Sequence, residues 1–214
     1  MIEHRQLLMR ANRLLGSALI EHNLVKFEDL EAANERLLEL VAQGDLRRAS
    51  VLAVLVNERK VLHEDDVLHV VMEELGLGLV DLRHYDVPEE IRASLDLGMC
   101  WATLTVPYDR EEDFYHVATA YYLSPAVRTH WEKQLPGPIV WTATSMEVLA
   151  DFLDRLQSDR DEAAKSAPPK PGTRSPFPTT TTTGTRSPFP TTPAAPTAST
   201  TPGTRSPLPT TSTT

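Results

Sequence analysis

The chain of 214 residues is 41% apolar and 24% charged, ordinary proportions for a globular protein long enough to hold one or two domains. Its formal charge of −9 is unevenly divided: residues 1–165 hold 17 basic against 30 acidic side chains, while from Ser166 onward there is no Asp or Glu and only Lys170, Arg174, Arg186 and Arg205 carry charge. A body this acidic excludes DNA, RNA or an anionic membrane face as a main partner, because each is recognised through a basic surface.

The single cysteine, Cys100, excludes an internal disulfide framework and fits a reducing compartment. The first residues, Met-Ile-Glu-His-Arg-Gln, lack a basic segment followed by an apolar core, and nowhere do about 18 apolar residues run together. The expectation is a cytoplasmic protein with no membrane insertion.

In chain order, Leu7, Leu8, Ala11, Leu14, Leu15, Ala18 and Leu19 recur at helical spacing, so a helix fills much of residues 3–22. Asn23 stands at a turn, where it can take positive φ. Phe27 to Ala42 reads as an amphipathic helix with Leu30, Ala33, Leu37, Leu40 and Val41 inward, ended by Gln43-Gly44-Asp45. Arg47 to Glu58 and His63 to Leu75 make a second helical pair. Sliding the chain by 37 positions lays Leu15 on Leu52, Gly16 on Ala53, Leu19 on Val56, Leu24-Val25 on Val61-Leu62 and Leu30 on Val67. The unit is therefore an αα-hairpin used twice, with Leu30 and Val67 as buried anchors. Neither second helix has a Ser, Thr, Asp or Asn at its expected N-cap, since Lys26 and His63 sit there, so some fraying is expected at those ends.

Beyond the hairpins, Val80-Asp81-Leu82 reads as a strand, and Val87-Pro88-Glu89-Glu90 opens a helix with an early proline and acidic first turn. Two apolar runs, Cys100–Tyr108 and Phe114–Tyr121, joined by the charged Asp109–Asp113, read as a strand hairpin. Ser124-Pro125 opens a helix to Gln134, Ile139–Thr144 is a third strand, and Ser145-x-x-Val148 leads into a final helix to about Arg160. The fold class is α+β: a helical part over 1–78 built of two αα-hairpins, then a small α/β sandwich over 79–160. Trp101, Trp131, Trp141 and Tyr121-Tyr122 fill the sandwich core in this reading; an exposed Trp131 or Tyr122 would mark a partner surface.

Residues 161–214 change character. Pro, Thr, Ser and Gly dominate, leaving little apolar surface to offset the entropy of ordering, so a disordered tail is expected. It carries three copies of one nonapeptide: Gly172–Thr180, Gly184–Thr192 and Gly203–Thr211, reading GTRSPFPTT twice and then with Leu208 in place of phenylalanine. Thr173, Ser175, Thr185, Ser187, Thr204 and Ser206 flank the arginines and precede prolines, which makes them candidate acceptors for a Ser/Thr kinase. The other reading is a solubilising or spacer tail in extended polyproline-like conformation.

The paired Leu-Gly and apolar-pair spacing of the hairpins, followed by Leu75-Gly76-Leu77-Gly78-Leu79-Val80-Asp81-Leu82, resembles the N-terminal domain of type II secretion and type IV pilus assembly ATPases over roughly Leu14 to Leu156. The ATPase motor itself is not implied, because no Gly-x-x-x-x-Gly-Lys-Ser/Thr phosphate cradle occurs. Some domains of that family bind cyclic di-GMP through two motif copies that begin Arg-Leu-Gly and end in Gln. Here the copies depart: Leu14 and Val51 occupy the arginine positions, Ala53 replaces the second glycine, and Leu37 and Glu74 stand for glutamine. The residues left for such a nucleotide site are Arg13, Leu15, Gly16 and Leu19.

For chemistry, His63, His69 and His116 with Glu64, Asp65 and Asp66 lack ligand spacing, and the carboxylates read as complements to a helix dipole. Cys100 within its strand reads as a small core residue, and Asp109–Asp113 as a solvated turn without the pattern of a calcium loop. No catalytic residue, metal or cofactor is expected. The resemblance implies a non-catalytic regulatory or adaptor protein that binds a protein partner in a pilus, secretion or motility machine or its signalling pathway. The alternative it leaves is a cyclic di-GMP receptor with a degenerate motif.

Overall fold

The computed structural model describes residues 2–44, 47 and 49–166, which lie in one unit, Met1–Pro168; the second unit, Pro169–Thr214, falls outside the described residues. Helix α1 (Ile2–Glu21) and α2 (Phe27–Gln43) make the first hairpin. Asn23 takes φ 57° at the turn, as the sequence indicates, and α2 ends where Gly44 enters the left-handed region at φ 83° and its amide returns to the carbonyls of Leu40 and Val41. Helix α3 (Val51–Ala53) runs on into a π-helical segment, Val54–Glu58, and α4 (Glu64–His69) into another, Val70–Glu74. Lys26 and His63 stand at the N-caps of α2 and α4 without a side-chain hydrogen bond.

The internal repeat is present, with a correction of register in its first helix. Through the turn and second helix the shift of 37 holds: Asn23 and Lys60 both have positive φ, and Val25 with Leu62, Leu30 with Val67, and Ala33 with Val70 are buried pairs. In the first helix the buried set Leu15, Gly16, Ala18 and Leu19 recurs one position earlier, as Val51, Leu52, Val54 and Leu55. The second copy thus holds one residue more than the first between helix and turn. The π segment absorbs it: Arg59 N donates to Val54 O at 2.8 Å, and Val61 N reaches Leu55 O, where the first copy closes with Leu24 N to Leu19 O. One extra residue in a helix is what a π turn accommodates without losing the apolar face. Apolar spacing alone gives no sign of where that residue lies.

The second half forms a four-stranded mixed sheet in the order β1-β4-β3-β2. It comprises β1 (Gly78–Leu79), β2 (Thr105–Glu111), β3 (Phe114–Thr119) and β4 (Ile139–Ala143). Strands β2 and β3 are antiparallel and β3 and β4 parallel, the latter joined by α7 (Pro125–Gln134), as a parallel pair requires a crossover. Pro107 is tolerated because β2 is an edge strand, and the pairing shifts beside it, between Pro107 and Asp109. The first strand is Gly78–Leu79, not Val80–Leu82; only the amide of Val80 joins, donating to Ala143 O.

A second correction concerns Cys100. The run Cys100–Tyr108 is not one strand, since Leu97–Thr103 forms helix α6 and the strand starts at Thr105. Asp96 supplies the cap, its Oδ1 accepting the Met99 amide at 3.1 Å, and Leu104 at φ 42° turns the chain out of the helix. A leucine rather than a glycine in the left-handed position hid the break, whereas Asp96 ahead of an apolar run was the available signal. Helix α5 (Glu89–Ser94) follows Pro88 as its residues indicate, and α8 (Met146–Ser166) continues past the expected end near Arg160.

Helix α1 packs on α2 and α3 on one side and on α6 and α7 on the other, so it is the seam between the hairpins and the sheet. A buried polar network crosses that seam. Asn12 Oδ1 accepts the Val51 amide at 2.7 Å and the Tyr121 hydroxyl at 2.7 Å, while Asn12 Nδ2 donates to Leu8 O. Tyr121 Oη lies 2.7 Å from Ser50 Oγ, which in turn accepts the Ala53 amide and caps α3. Trp131 is buried with its Nε1 donating to Thr103 Oγ1 at 3.1 Å, and Tyr121 is buried; Trp101, Trp141 and Tyr122 are half-buried. From α8, Arg155 donates to the carbonyls of Leu82, Arg83 and Tyr85, and Arg160 to those of Arg92 and Leu95, satisfying backbone groups of the loops that lead into and out of α5.

Candidate functional site

Of the four residues proposed for a nucleotide site, three are core. Leu15 and Leu19 are fully buried, and Gly16 faces α2 so closely that a methyl group there would lie 2.7 Å from Leu30 Cδ1. The glycine leaves room for the Leu30 side chain. Arg13 alone is at the surface, one helical turn from Arg10 and away from the face that holds Leu15 and Leu19. The second copy does not add to it, since Val51 and Leu52 are buried and Glu74 is engaged by His22, Nδ1 to Oε2 at 3.1 Å.

Arg13 opens onto a groove of about 520 Å³ between the outer faces of α1 and α2. Met9, Arg10 and Arg13 form one wall and Asn34, Leu37 and Leu38 the other. Leu37 is 2% exposed and makes the floor, while Leu38 is 55% exposed at the rim. By spacing Leu37 falls on the inward stripe of α2 and Leu38 lies off it, so no local signal marks Leu38. Neither Arg10 nor Arg13 forms an ion pair or side-chain hydrogen bond with any described residue, in contrast to Arg36, which bridges Glu39 and Glu58 at 2.8 and 2.9 Å. Arg10 and Arg13 thus stand as two cations without an ion pair among the described residues, beside an apolar floor on a body with a large acidic excess.

The ionisable groups whose proton affinity departs from the ordinary are held by structural duties. Burial, with Asp96 nearby, pushes the Cys100 thiol up and keeps it protonated in α6. An alkylating reagent should therefore label Cys100 only as the protein unfolds, and labelling under native conditions at the rate of a free thiol would contradict this burial. Burial also raises the Tyr121 hydroxyl, and burial together with its hydrogen bond to Asp109 raises that of Tyr85 to about 12. Burial acts to raise Asp96 but is outweighed by the Met99 amide and by His4, whose Nε2 lies 2.9 Å away, so its carboxyl sits below the usual range. His130 is lowered chiefly by burial.

Glu64 shows how a carboxyl is used here for folding. It reaches from the first turn of α4 to accept the Met146 amide at the start of α8, tying the second hairpin to the last helix. Burial raises its pKa more than that hydrogen bond lowers it. With the folded value above the unfolded one, the native state binds the extra proton, so stability falls as pH rises through the interval between them. Glu64→Gln keeps an acceptor and removes the desolvated charge. Its melting temperature should gain on the wild type as pH increases from about 4 toward neutrality, whereas Glu64→Ala should lose about 0.5–2 kcal/mol through the missing cap. A pH-independent difference between Gln variant and wild type would refute this account.

The histidines considered for metal are dispersed: His63 precedes α4, His69 ends it, and His116 lies on β3 with Nε2 3.8 Å from Glu111. Among the described residues no helix is long and apolar enough to cross a membrane. The candidate acceptors Thr173, Ser175, Thr185, Ser187, Thr204 and Ser206 lie outside the described residues.

No protein-family model and no curated protein matches this chain. Among solved structures, that of MshE with cdg matches at 22% identity and TM-score 0.43, covering 66% of this chain and 97% of the other. The N-terminal domain of XpsE matches in two crystal forms. One has 20% identity and TM-score 0.44 over 65% of this chain and 91% of the other; the second has 22% identity and TM-score 0.46 over 68% and 94%.

Proposed function

We propose that this chain is a non-catalytic regulatory or adaptor protein whose folded unit binds a protein partner. The observation that carries the reading is the groove between α1 and α2: an apolar floor with an exposed leucine and two arginines that have no ion pair among the described residues suits association, and the residues lining it include no paired acid and base. Its support for the absence of catalysis is that the perturbed carboxyls, Asp96 and Glu64, are spent on helix caps. The sequence resemblance suggests the setting, a pilus, secretion or motility machine or its signalling pathway in the cytoplasm. The tail repeats would then serve as a docking array or as phosphoacceptors for a Ser/Thr kinase.

The test is in-cell crosslinking followed by mass spectrometry, performed with the full chain and with one ending at Ser166. A machine or signalling component crosslinked by both chains is the expected result, with phosphate on Thr173, Ser175 or their repeat counterparts in the full chain. Recovery of partners only with the tail present would overturn the assignment of binding to the folded unit. A second reading, cyclic di-GMP reception, is favoured by Arg10 and Arg13 standing together at one groove with anions to gain. Leu37 at its floor offers no hydrogen bond to a guanine edge, so calorimetric titration with cyclic di-GMP should give no saturable heat.

A further inference from the structure

We propose that the groove of α1 and α2 takes an acidic amphipathic helix of the partner, whose apolar stripe lies on Leu37, Met9 and Leu38 and whose Asp or Glu flank faces Arg10 and Arg13. This rests on the reading that the folded unit binds a protein, and names the occupant of that site. Both walls are helices, and their backbone N–H and C=O groups at mid-length are consumed within the helices themselves. An extended peptide would find no main-chain partners in such a groove and would leave its own unsatisfied. A helix arrives with its backbone bonds already made and can lay a row of side chains at i, i+3, i+4 and i+7 between two neighbouring helices.

The sign of the partner follows from the charges present. Arg10 and Arg13, spaced i and i+3, lie along one wall with no ion pair among the described residues, while the opposite wall contributes Asn34 and Leu38 at its edge. A helix with carboxylates on one flank therefore gains charge-assisted contacts on the α1 side only, which fixes its direction of approach and rotation. The net acidic excess of the rest of the unit weighs against binding such a helix away from the arginines, which favours docking at the groove. A basic helix would have the reverse preference, drawn to the acidic surface and opposed at the groove.

The test uses a displayed library of 14-residue helix-forming peptides, with Leu, Ile, Phe or Met at the stripe positions and Glu, Lys or Gln on each flank. It is selected on the full chain and counter-selected on the Arg10→Glu/Arg13→Glu variant, both of whose changes are at exposed sites. The expected outcome is enrichment of Glu on one flank, backbone and methyl resonance shifts centred on Met9, Leu37 and Leu38, at least a tenfold loss of affinity in the double variant, and recovery when the selected peptide's Glu residues are changed to Lys. Affinity should also fall several-fold between low and high salt. No enrichment, shifts that map elsewhere, or equal binding by the double variant would overturn the proposal. So would cyclic di-GMP moving the same resonances more tightly than any peptide. If the variant loses the peptide yet keeps the partner crosslinked in cells, the groove assignment fails while the adaptor reading stands.

Discussion

Asn12→Ala will destabilise the folded unit by about 2–4 kcal/mol, because the buried Val51 amide is left without an acceptor, at about 1–3 kcal/mol, and the Tyr121 hydroxyl, left with Ser50 Oγ alone, loses a hydrogen bond worth about 0.5–1.5 kcal/mol. Asn12 is 1% exposed, so water does not replace the lost acceptor. At 2–4 °C per kcal/mol for a domain of this size, the melting temperature should drop by roughly 5–15 °C. Tyr121→Phe is the control. It leaves the Val51 amide on Asn12 and the Ala53 amide on Ser50, and should cost only about 1 kcal/mol. Denaturant melts of both variants decide the matter: an Asn12→Ala penalty no larger than that of Tyr121→Phe would mean that the amide is not the node of the seam.

The second large effect is Leu30→Ala, expected to cost about 2–5 kcal/mol as a truncation of a buried side chain. Its interest lies in its coupling to Gly16. In the intact chain Gly16→Ala should destabilise, because its new methyl would meet Leu30 Cδ1 at 2.7 Å and overpacking of about 1–3 kcal/mol exceeds the roughly 1 kcal/mol that alanine adds to helix propensity. With Leu30 already shortened the obstacle is gone, and Gly16→Ala should become stabilising by up to about 1 kcal/mol. The change of sign in a double-mutant cycle separates close packing from any ligand role for the Leu15-Gly16 pair. Additive effects would break the claim that the glycine exists to admit Leu30.

Most of the fold's elements can be read from residues whose signals are local. Leu30, Ala33, Leu37, Leu40 and Val41 fall on one helical face and are buried together, Gly44 and Asn23 take the left-handed conformations their side chains permit, and Pro88 and Pro125 open helices. Where reading failed, the cause was a competing local signal. Cys100–Tyr108 is continuously apolar, which suits a buried strand or a buried helix equally, and only Asp96 and the turn at Leu104 divide it. Of the four residues named for a nucleotide site, Arg13 lines the groove, while Leu15, Gly16 and Leu19 are core; small and apolar groups at that spacing look alike in a ligand motif and in a helix interface, so the sequence does not separate the two.

The amino-acid sequence by itself determined the α+β class, the doubled hairpin, the acidic body and the tail's threefold nonapeptide, because periodicity, charge and repetition are properties of the chain alone. Only the tertiary structure decided that the repeat slips by one residue and hides the slip in a π turn, that Asn12, Ser50 and Tyr121 share one buried network, and that Arg10, Arg13 and Leu38 meet at one groove. These depend on which helix faces approach one another across tens of residues of sequence, and that is fixed by the packing of the whole core and not by any stretch within it.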